Sequence, residues 1–295
     1  MQNKFIGVIG LGMMGVPMTN NLLKANFQVK GFDINPQAQE KITKSANFEW
    51  INNPQEIAKT CQIIILILPD SNIIDQLLWG NNQDGIVSHF QKDTLVIDMS
   101  SSRPTNSKTN AERLHHLGLS FIDAPVSGGV KRAIDGSLAI MIGGNEHDIQ
   151  PVMPIFQTLG KTIVHVGTAG AGHAVKALNN YVSAAGLLAV SEALVAAEKF
   201  GINPYLANQV FNASSGKNNT TEVKVENFML SETFNSGFAI ALMRKDIQTA
   251  KDFIHEMQSH GSFAQLCFDE WEGAEKSLPK GADHTAMFAY VKDKS

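Results

Sequence analysis

Three glycines at fixed spacing carry the first chemistry in this chain. Residues 5–18 read Phe-Ile-Gly-Val-Ile-Gly-Leu-Gly-Met-Met-Gly-Val-Pro-Met, an apolar run that opens into Gly10-x-Gly12-x-x-Gly15. Gly10 allows a tight turn, Gly12 lets backbone approach a pyrophosphate, and Gly15 lets a helix pack closely on the strand. The start of that helix then offers free N–H groups and a partial positive charge to phosphates. Asp33 closes the next apolar run, roughly twenty residues on, where a carboxylate can bond both ribose hydroxyls of a dinucleotide. Leu11, Met13 and Met14 fill the turn, and Ile34 and Asn35 follow Asp33. All are candidate cofactor contacts. Ile34-Asn35-Pro36 supplies no arginine, so a 2′-phosphate would meet the Asp33 carboxylate uncompensated. The expected cofactor is NAD, preferred over NADP.

Three further clusters have reactive character. Asp123-Ala124-Pro125-Val126-Ser127-Gly128-Gly129 sets a hydroxyl beside two glycines at the end of a predicted strand. Exposed backbone N–H groups and a small donor suit a carboxylate, and a ligand-free glycine turn fits the same residues. Gly170-x-Gly172-x-x-x-Lys176-x-x-Asn179-Asn180 places Lys176 and Asn180 one turn apart on a helix face. An ammonium beside an amide can protonate or polarise a carbonyl oxygen while a hydride reaches carbon. A lysine reaching out to solvent from the helix start is the alternative. His173, a turn earlier, reads as a local contact. Phe238-x-x-x-Leu242-Met243-Arg244-Lys245-Asp246 lies on an amphipathic pattern, which by periodicity alone makes its charged trio a solvated face.

The elements that must position these groups follow from hydrophobic pattern. Strands are predicted at 5–9, 28–32, 62–68, 94–98, 120–123, 139–142 and 163–166, alternating with helices. The run from Ile63 to Leu68 lacks polar alternation, so it should be a central strand buried on both faces of a parallel sheet. This is an α/β pattern, a doubly wound Rossmann domain over residues 1–166. The breaks after Leu68 and Asp98 leave the carboxyl ends of strands, where ligands bind in such sheets. Leu68 and Pro69 are therefore candidate cofactor contacts.

After Gly167-Thr168-Ala169-Gly170-Ala171-Gly172 the character changes. An all-α domain is predicted over 167–295, opening with a helix of about thirty residues, on the order of 45 Å long. That helix is small or apolar on nearly every side, so it should be buried all round, between domains or in a subunit interface. Shorter helices are predicted near 203–213, 219–230, 238–259, 262–276 and 283–292.

Bulk properties narrow the class. The chain has 295 residues, 43% hydrophobic and 18% charged, enough for two packed domains. A formal charge of −4 leaves no basic footprint for nucleic acid or an anionic membrane. Cys61 and Cys267 lack paired spacing and read as buried thiols in a reducing compartment. The nine histidines include His115-His116, a pair expected in solvent, and form no metal-ligand spacing. Polar residues from Lys176 to Glu192 interrupt the long apolar helix, so no membrane span is expected. The first strand begins almost at once, leaving no room for a targeting peptide, and a cytoplasmic enzyme is expected.

Taken together, the motifs resemble those of the β-hydroxyacid dehydrogenase family, whose members include 3-hydroxyisobutyrate dehydrogenase and tartronate semialdehyde reductase. Gly10-Leu11-Gly12-x-Met14-Gly15-x-x-Met18, the Ser127 loop, the Lys176–Asn180 segment and Lys245-Asp246 stand in family order across nearly the whole chain. The resemblance implies Lys176 as catalytic acid and base, supported by Asn180. Ser127, Gly128 and Gly129 would bind a substrate carboxylate, together with Lys176 and Asn180. Ser100, Ser101 and Lys245 would lie near the cofactor, with Asp246 fixing Lys245. It further implies NAD-linked oxidation of a small anionic 3-hydroxy acid to its semialdehyde, by a homodimer or homotetramer. Three features depart from the family pattern: Thr19, Ser101-Ser102-Arg103, and the charges Lys131-Arg132 behind the substrate loop. Reduction of tartronate semialdehyde, sulfolactaldehyde or a related aldehyde acid is the nearest alternative. An imine reductase, argued against by the lysine, and a non-catalytic dinucleotide-binding module are more distant ones. A lysine base at neutral pH would need its pKa lowered by desolvation or nearby cations.

Overall fold

A computed structural model describes residues 5–81 and 84–295. The chain forms two compact units, Met1–Lys176 and Ala177–Ser295.

The described residues of the first unit form nine strands: β1 (Phe5–Ile9), β2 (Gln28–Phe32), β3 (Phe48–Trp50), β4 (Ile63–Leu66), β5 (Leu95–Asp98), β6 (Ser120–Asp123), β7 (Val126–Ser127), β8 (Leu138–Gly143) and β9 (Gly160–Gly167). They form one sheet in the order β3-β2-β1-β4-β5-β6-β8-β7, with β9 paired to β8. From β3 to β6 every pairing is parallel, and β8 runs antiparallel to β6 and β7. Helices α1 (Gly15–Lys24), α2 (Pro54–Thr60), α3 (Ser71–Trp79), α4 (Pro104–His116), α5 (Gly129–Ile134), α6 (Glu146–Ile149) and α7 (Met153–Leu159) connect the strands. This is a Rossmann arrangement with the strand order reversing between β1 and β4.

The sheet separates two apolar layers. Ile6, Val8, Ile65 and Ile97 enter one, while Ile9, Ile64, Leu66 and Val96 enter the other. β4 is therefore buried on both faces, as its unbroken apolar run requires. It is shorter than predicted because the backbone N–H of Leu68 leaves the sheet for the Ser100 hydroxyl, at 2.9 Å. β5 likewise starts one residue late, where Thr94 turns back to Gln91. β8 and β9 run longer than their apolar cores. The short strands β3 and β7 give no periodic signal and are additions to the sequence reading.

Among its described residues the second unit is built of helices, with one isolated bridge between Ala239 and Asp283. α8 (Ala171–Phe200) begins in the first unit and continues into the second. α9 (Pro204–Ala213), a π-helix (Thr220–Met229), α10 (Ile240–Glu256), α11 (Ser262–Ser277) and α12 (Met287–Lys294) follow. Ala184, Leu187, Ile247, Trp271 and Met287 form one core of this unit, and Leu194, Val225, Met229 and Phe288 belong to a second.

Within the single chain α8 leaves one stripe uncovered, the part of its surface that the expected subunit interface concerns. Val175, Val182 and Phe200 are exposed, and Asn179, Ala189, Ala193 and Ala196 share that outer stripe. Alanine and glycine made the helix apolar without giving it bulk to cover. Among the described residues α8 has the length and composition of a membrane span, with mean hydropathy 1.4 in its most apolar window. Ala184, Leu187 and Leu188 nevertheless bury one side of it in the core of the second unit.

Candidate functional site

The glycine turn is shaped by contacts that exclude side chains. Gly10 has φ +102°, and a Cβ there would stand 2.2 Å from the Ile67 carbonyl oxygen on the neighbouring connection. A Cβ on Gly15 would stand 2.0 Å from the Gly10 carbonyl, so α1 seats directly on the turn. Gly12 differs: a Cβ there would meet nothing within 4 Å. The space above Gly12 is open, as the sequence reading of a pyrophosphate approach requires. No side chain caps α1 and no acid stands in its first turn, which suits an anion at that end.

Asp33 is tied to the turn. Its Oδ2 accepts from the Leu11 N–H at 2.6 Å and its Oδ1 from the Asn35 N–H at 2.7 Å. One cavity of about 540 Å³ is lined by Leu11, Gly12, Met13, Asp33 and Asn35. Lys24 and Lys41 line it as well, two cations that the local reading around Asp33 did not reach. Met13 is exposed there, whereas Met14 packs against the core. Ile34 is 92% exposed and Pro69 is exposed. These features fit a dinucleotide over the turn, with Gly12 and the α1 end at the phosphates and Asp33 at a ribose.

The ends of β4 and β5 are laced by Ser100. Its hydroxyl accepts from Leu68 N–H, its own N–H donates to Asp98 at 2.9 Å, and its carbonyl meets His173 Nε2 at 3.1 Å. Ser100 is thus engaged inside the protein, and half-buried Ser101 is the serine of the pair left toward the loop surface.

His173 pins the start of α8 to the sheet. Its backbone N–H and that of Gly170 donate to the Asp123 carboxylate at 2.8 and 2.7 Å, and Ser107 Oγ lies 2.8 Å from its Nδ1. Burial pushes the Asp123 carboxyl above its usual range, while His173 pulls it back. The sequence reading of His173 as a local contact is thereby corrected: its ring meets Ser107 and Ser100, far away in the chain. Downstream of Asp123, half-buried Ser127 ends β7 beside the exposed Gly128 and Gly129. The Ser127 hydroxyl has no hydrogen-bond partner among the described residues.

Half-buried Lys176 and buried Asn180 lie one turn apart on α8. Asn180 Nδ2 donates to Asp246 Oδ2 at 2.5 Å, and its Oδ1 accepts from Asn179 at 3.1 Å. Asp246, expected to fix Lys245, is 7% exposed and accepts from Asn180. The solvated-face reading of α10 therefore fails at Asp246. Arg244 pairs with Glu275 at 2.7 Å and keeps part of its side chain in solvent. Lys245 is half-buried on the same helix.

The sequence reading missed Lys224. This lysine of the π-helix is 9% exposed and donates to Ser183 Oγ at 3.3 Å. Ser183 follows Lys176 by seven residues, which returns to the same helix face. That spacing was the available signal. His115 and His116 are exposed, Cys61 and Cys267 are buried thiols, and the described residues hold no cluster of metal ligands.

Comparison with known proteins agrees with this geometry. Residues 5–167 match a family profile described as the NAD binding domain of 6-phosphogluconate dehydrogenase. Residues 170–291 match one described as NAD-binding of NADP-dependent 3-hydroxyisobutyrate dehydrogenase. The chain is 37% identical over 282 residues to 2-hydroxy-3-oxopropionate reductase of Escherichia coli strain K12, covering 96% of this chain and 95% of that one. It is 37% identical over 245 residues to 2-(hydroxymethyl)glutarate dehydrogenase of Eubacterium barkeri, covering 83% and 80%. A solved structure of Mycobacterium tuberculosis 3-hydroxyisobutyrate dehydrogenase with L-serine superposes with TM-score 0.89 at 28% identity, over 98% of this chain and 99% of that chain.

Proposed function

The chain belongs to the β-hydroxyacid dehydrogenase family and is an NAD(P)-dependent oxidoreductase acting on CH–OH groups; from that premise we propose that it oxidises a small 3-hydroxy acid to its semialdehyde with NAD. The observation that carries this reading is the ordered pair on α8: Lys176 one turn from an Asn180 whose amide is fixed by Asp246 at 2.5 Å. A nicotinamide, when bound, supplies the hydride acceptor. Neutral Lys176 takes the hydroxyl proton at Nζ as the carbinol C–H bond gives up its hydride, and the C–O single bond becomes a carbonyl. In the reverse direction the Lys176 ammonium returns that proton to the aldehyde oxygen. Asn180 holds the same oxygen in line, and its own orientation is set before substrate arrives.

Ser127, Gly128 and Gly129 would grip the substrate carboxylate. The Ser127 hydroxyl has no internal partner among the described residues and the two glycines are exposed, which supports that assignment. Holding the carboxylate fixes the distance from carbinol carbon to Lys176, so loss of the anchor should lower kcat as well as raise KM. Exposed apolar residues of the second unit, among them Val182, Leu206 and Val210, support a homo-oligomer.

The test is nicotinamide absorbance with matched substrates: a 3-hydroxy acid, its methyl ester and the parent alcohol. The acid should be turned over at least roughly tenfold better in kcat/KM, the weight of one charge-assisted contact. An alcohol oxidised as well as its acid would rule out the carboxylate clamp.

A further inference from the structure

Lys224 is a buried cation whose bonding is incomplete. An ammonium carries three N–H donors, and the hydrogen bond that Lys224 makes among the described residues is the 3.3 Å contact to the Ser183 hydroxyl. The acid whose field it feels is Asp283. That carboxylate is already engaged: Oδ1 accepts from Ser236 Oγ, Thr285 N–H and Thr285 Oγ1, and Oδ2 from Gly237 N–H and Phe238 N–H. Burial pushes the Lys224 ammonium down to about 8, with Asp283 opposing the change. Lys30, equally buried in the first unit, shows what a structural lysine looks like. It pairs with Glu49 at 3.3 Å and lies over the Phe5 ring. A buried charge without such partners is destabilising, and a ligand anion is one way to complete it.

The position of Lys224 gives that anion a meaning. Ser183, on which the ammonium rests, continues the face of α8 that carries Lys176 and Asn180, about 10 Å along the axis from Lys176. We propose that Lys224, seated on Ser183, is a specificity residue that binds a second carboxylate of the substrate, remote from the carbinol carbon. On this account the preferred substrate is a hydroxy acid bearing two carboxylates. The inference rests on the assignment of the Lys176–Asn180 face as the reacting face.

Two measurements test it with the full chain and NAD present. In the first, thermal melting is followed with glutarate or pentanoate, unreactive acids of one chain length, at matched ionic strength. Glutarate should raise Tm by a few degrees more than pentanoate. Lys224→Met should abolish that difference without melting lower than the parent, and Lys224→Arg should keep part of it. Equal shifts with the two acids, or a difference that survives in Lys224→Met, would overturn the proposal. So would a Lys224→Met protein that melts several degrees lower, since that marks a structural lysine. In the second, kcat/KM is compared for a hydroxy-dicarboxylate and the hydroxy-monocarboxylate of equal length. The ratio should be tenfold or more for the parent and near unity for Lys224→Met, mainly through KM. A glutarate shift that depends on Lys224, in a protein that oxidises neither acid, would support the anion site and refute the proposed function. Turnover of both acids with a ratio unmoved by Lys224→Met would do the reverse.

Discussion

Asp246 Oδ2 accepts a 2.5 Å hydrogen bond from Asn180 Nδ2, and both residues are buried. A carboxylate from α10 thereby orients an amide on α8, one turn from Lys176. A buried hydrogen bond to a charged group contributes about 1.5–3 kcal/mol. If Asn180 must be held to act on the reacting oxygen, Asp246→Ala should lower kcat by roughly 10–100-fold. Affinity for NAD, measured by fluorescence titration, should stay within threefold, because the glycine turn belongs to the first unit. An Asp246→Ala enzyme with unchanged kcat would remove Asn180 from the reaction.

Asp33 makes two backbone contacts and so has a structural task beside the ribose contact proposed for it. A 2′-phosphate about 4 Å from it would cost on the order of 4 kcal/mol at an effective dielectric near 20, an upper figure for a partly solvated site. Lys24 and Lys41 line the same cavity and offset part of that cost. The expected outcome is a kcat/KM at least roughly tenfold higher with NAD than with NADP, corresponding to a net 1.4 kcal/mol. Asp33→Ala should narrow that ratio and also lower stability by about 1–3 kcal/mol, since Leu11 and Asn35 lose their acceptor. Equal kcat/KM for the two cofactors in the parent enzyme would refute the discriminating role of Asp33.

Lys224 should leave a signature in stability against pH. Its ammonium titrates at about 8 in the folded protein, against an ordinary value of 10.5. Between those values the unfolded chain binds more protons, so stability rises with pH. The penalty for burying the charge is full below about 8 and gone above about 10.5, and it is on the order of 3 kcal/mol. Lys224→Met removes it at every pH. The variant's advantage in urea unfolding should therefore be largest near neutrality and shrink as pH rises through that window. An advantage independent of pH would contradict the buried-cation account.

Much of this was legible in the sequence because certain positions admit few residue types. Gly10 and Gly15 face backbone oxygens at about 2 Å from any added Cβ, so their spacing announced the turn. The apolar run of β4 announced a strand buried on both faces. Helical spacing put Lys176 and Asn180 on one face, and the family resemblance, not the spacing, implied their roles. Other features depend on partners distant in the chain. Asp246 looked solvated because periodicity sees one helix at a time and not Asn180 across from it. Lys224 was hidden by a π-helix, whose turn is longer than the one that helical spacing assumes. β3 pairs at three positions with β2, too few for a pattern. The alanines of the α8 stripe gave an apolar pattern without saying what covers them, because alanine is apolar whether covered or not.

The proton transfer at Lys176 is the centre of the account, and Lys176→Ala tests it most directly. Initial rates of nicotinamide reduction with the best 3-hydroxy acid, taken beside NAD affinity, separate chemistry from binding. Removing the proton acceptor should lower kcat by roughly 10²–10⁴, while NAD affinity stays within threefold. A Lys176→Ala enzyme that kept most of its kcat would contradict the account.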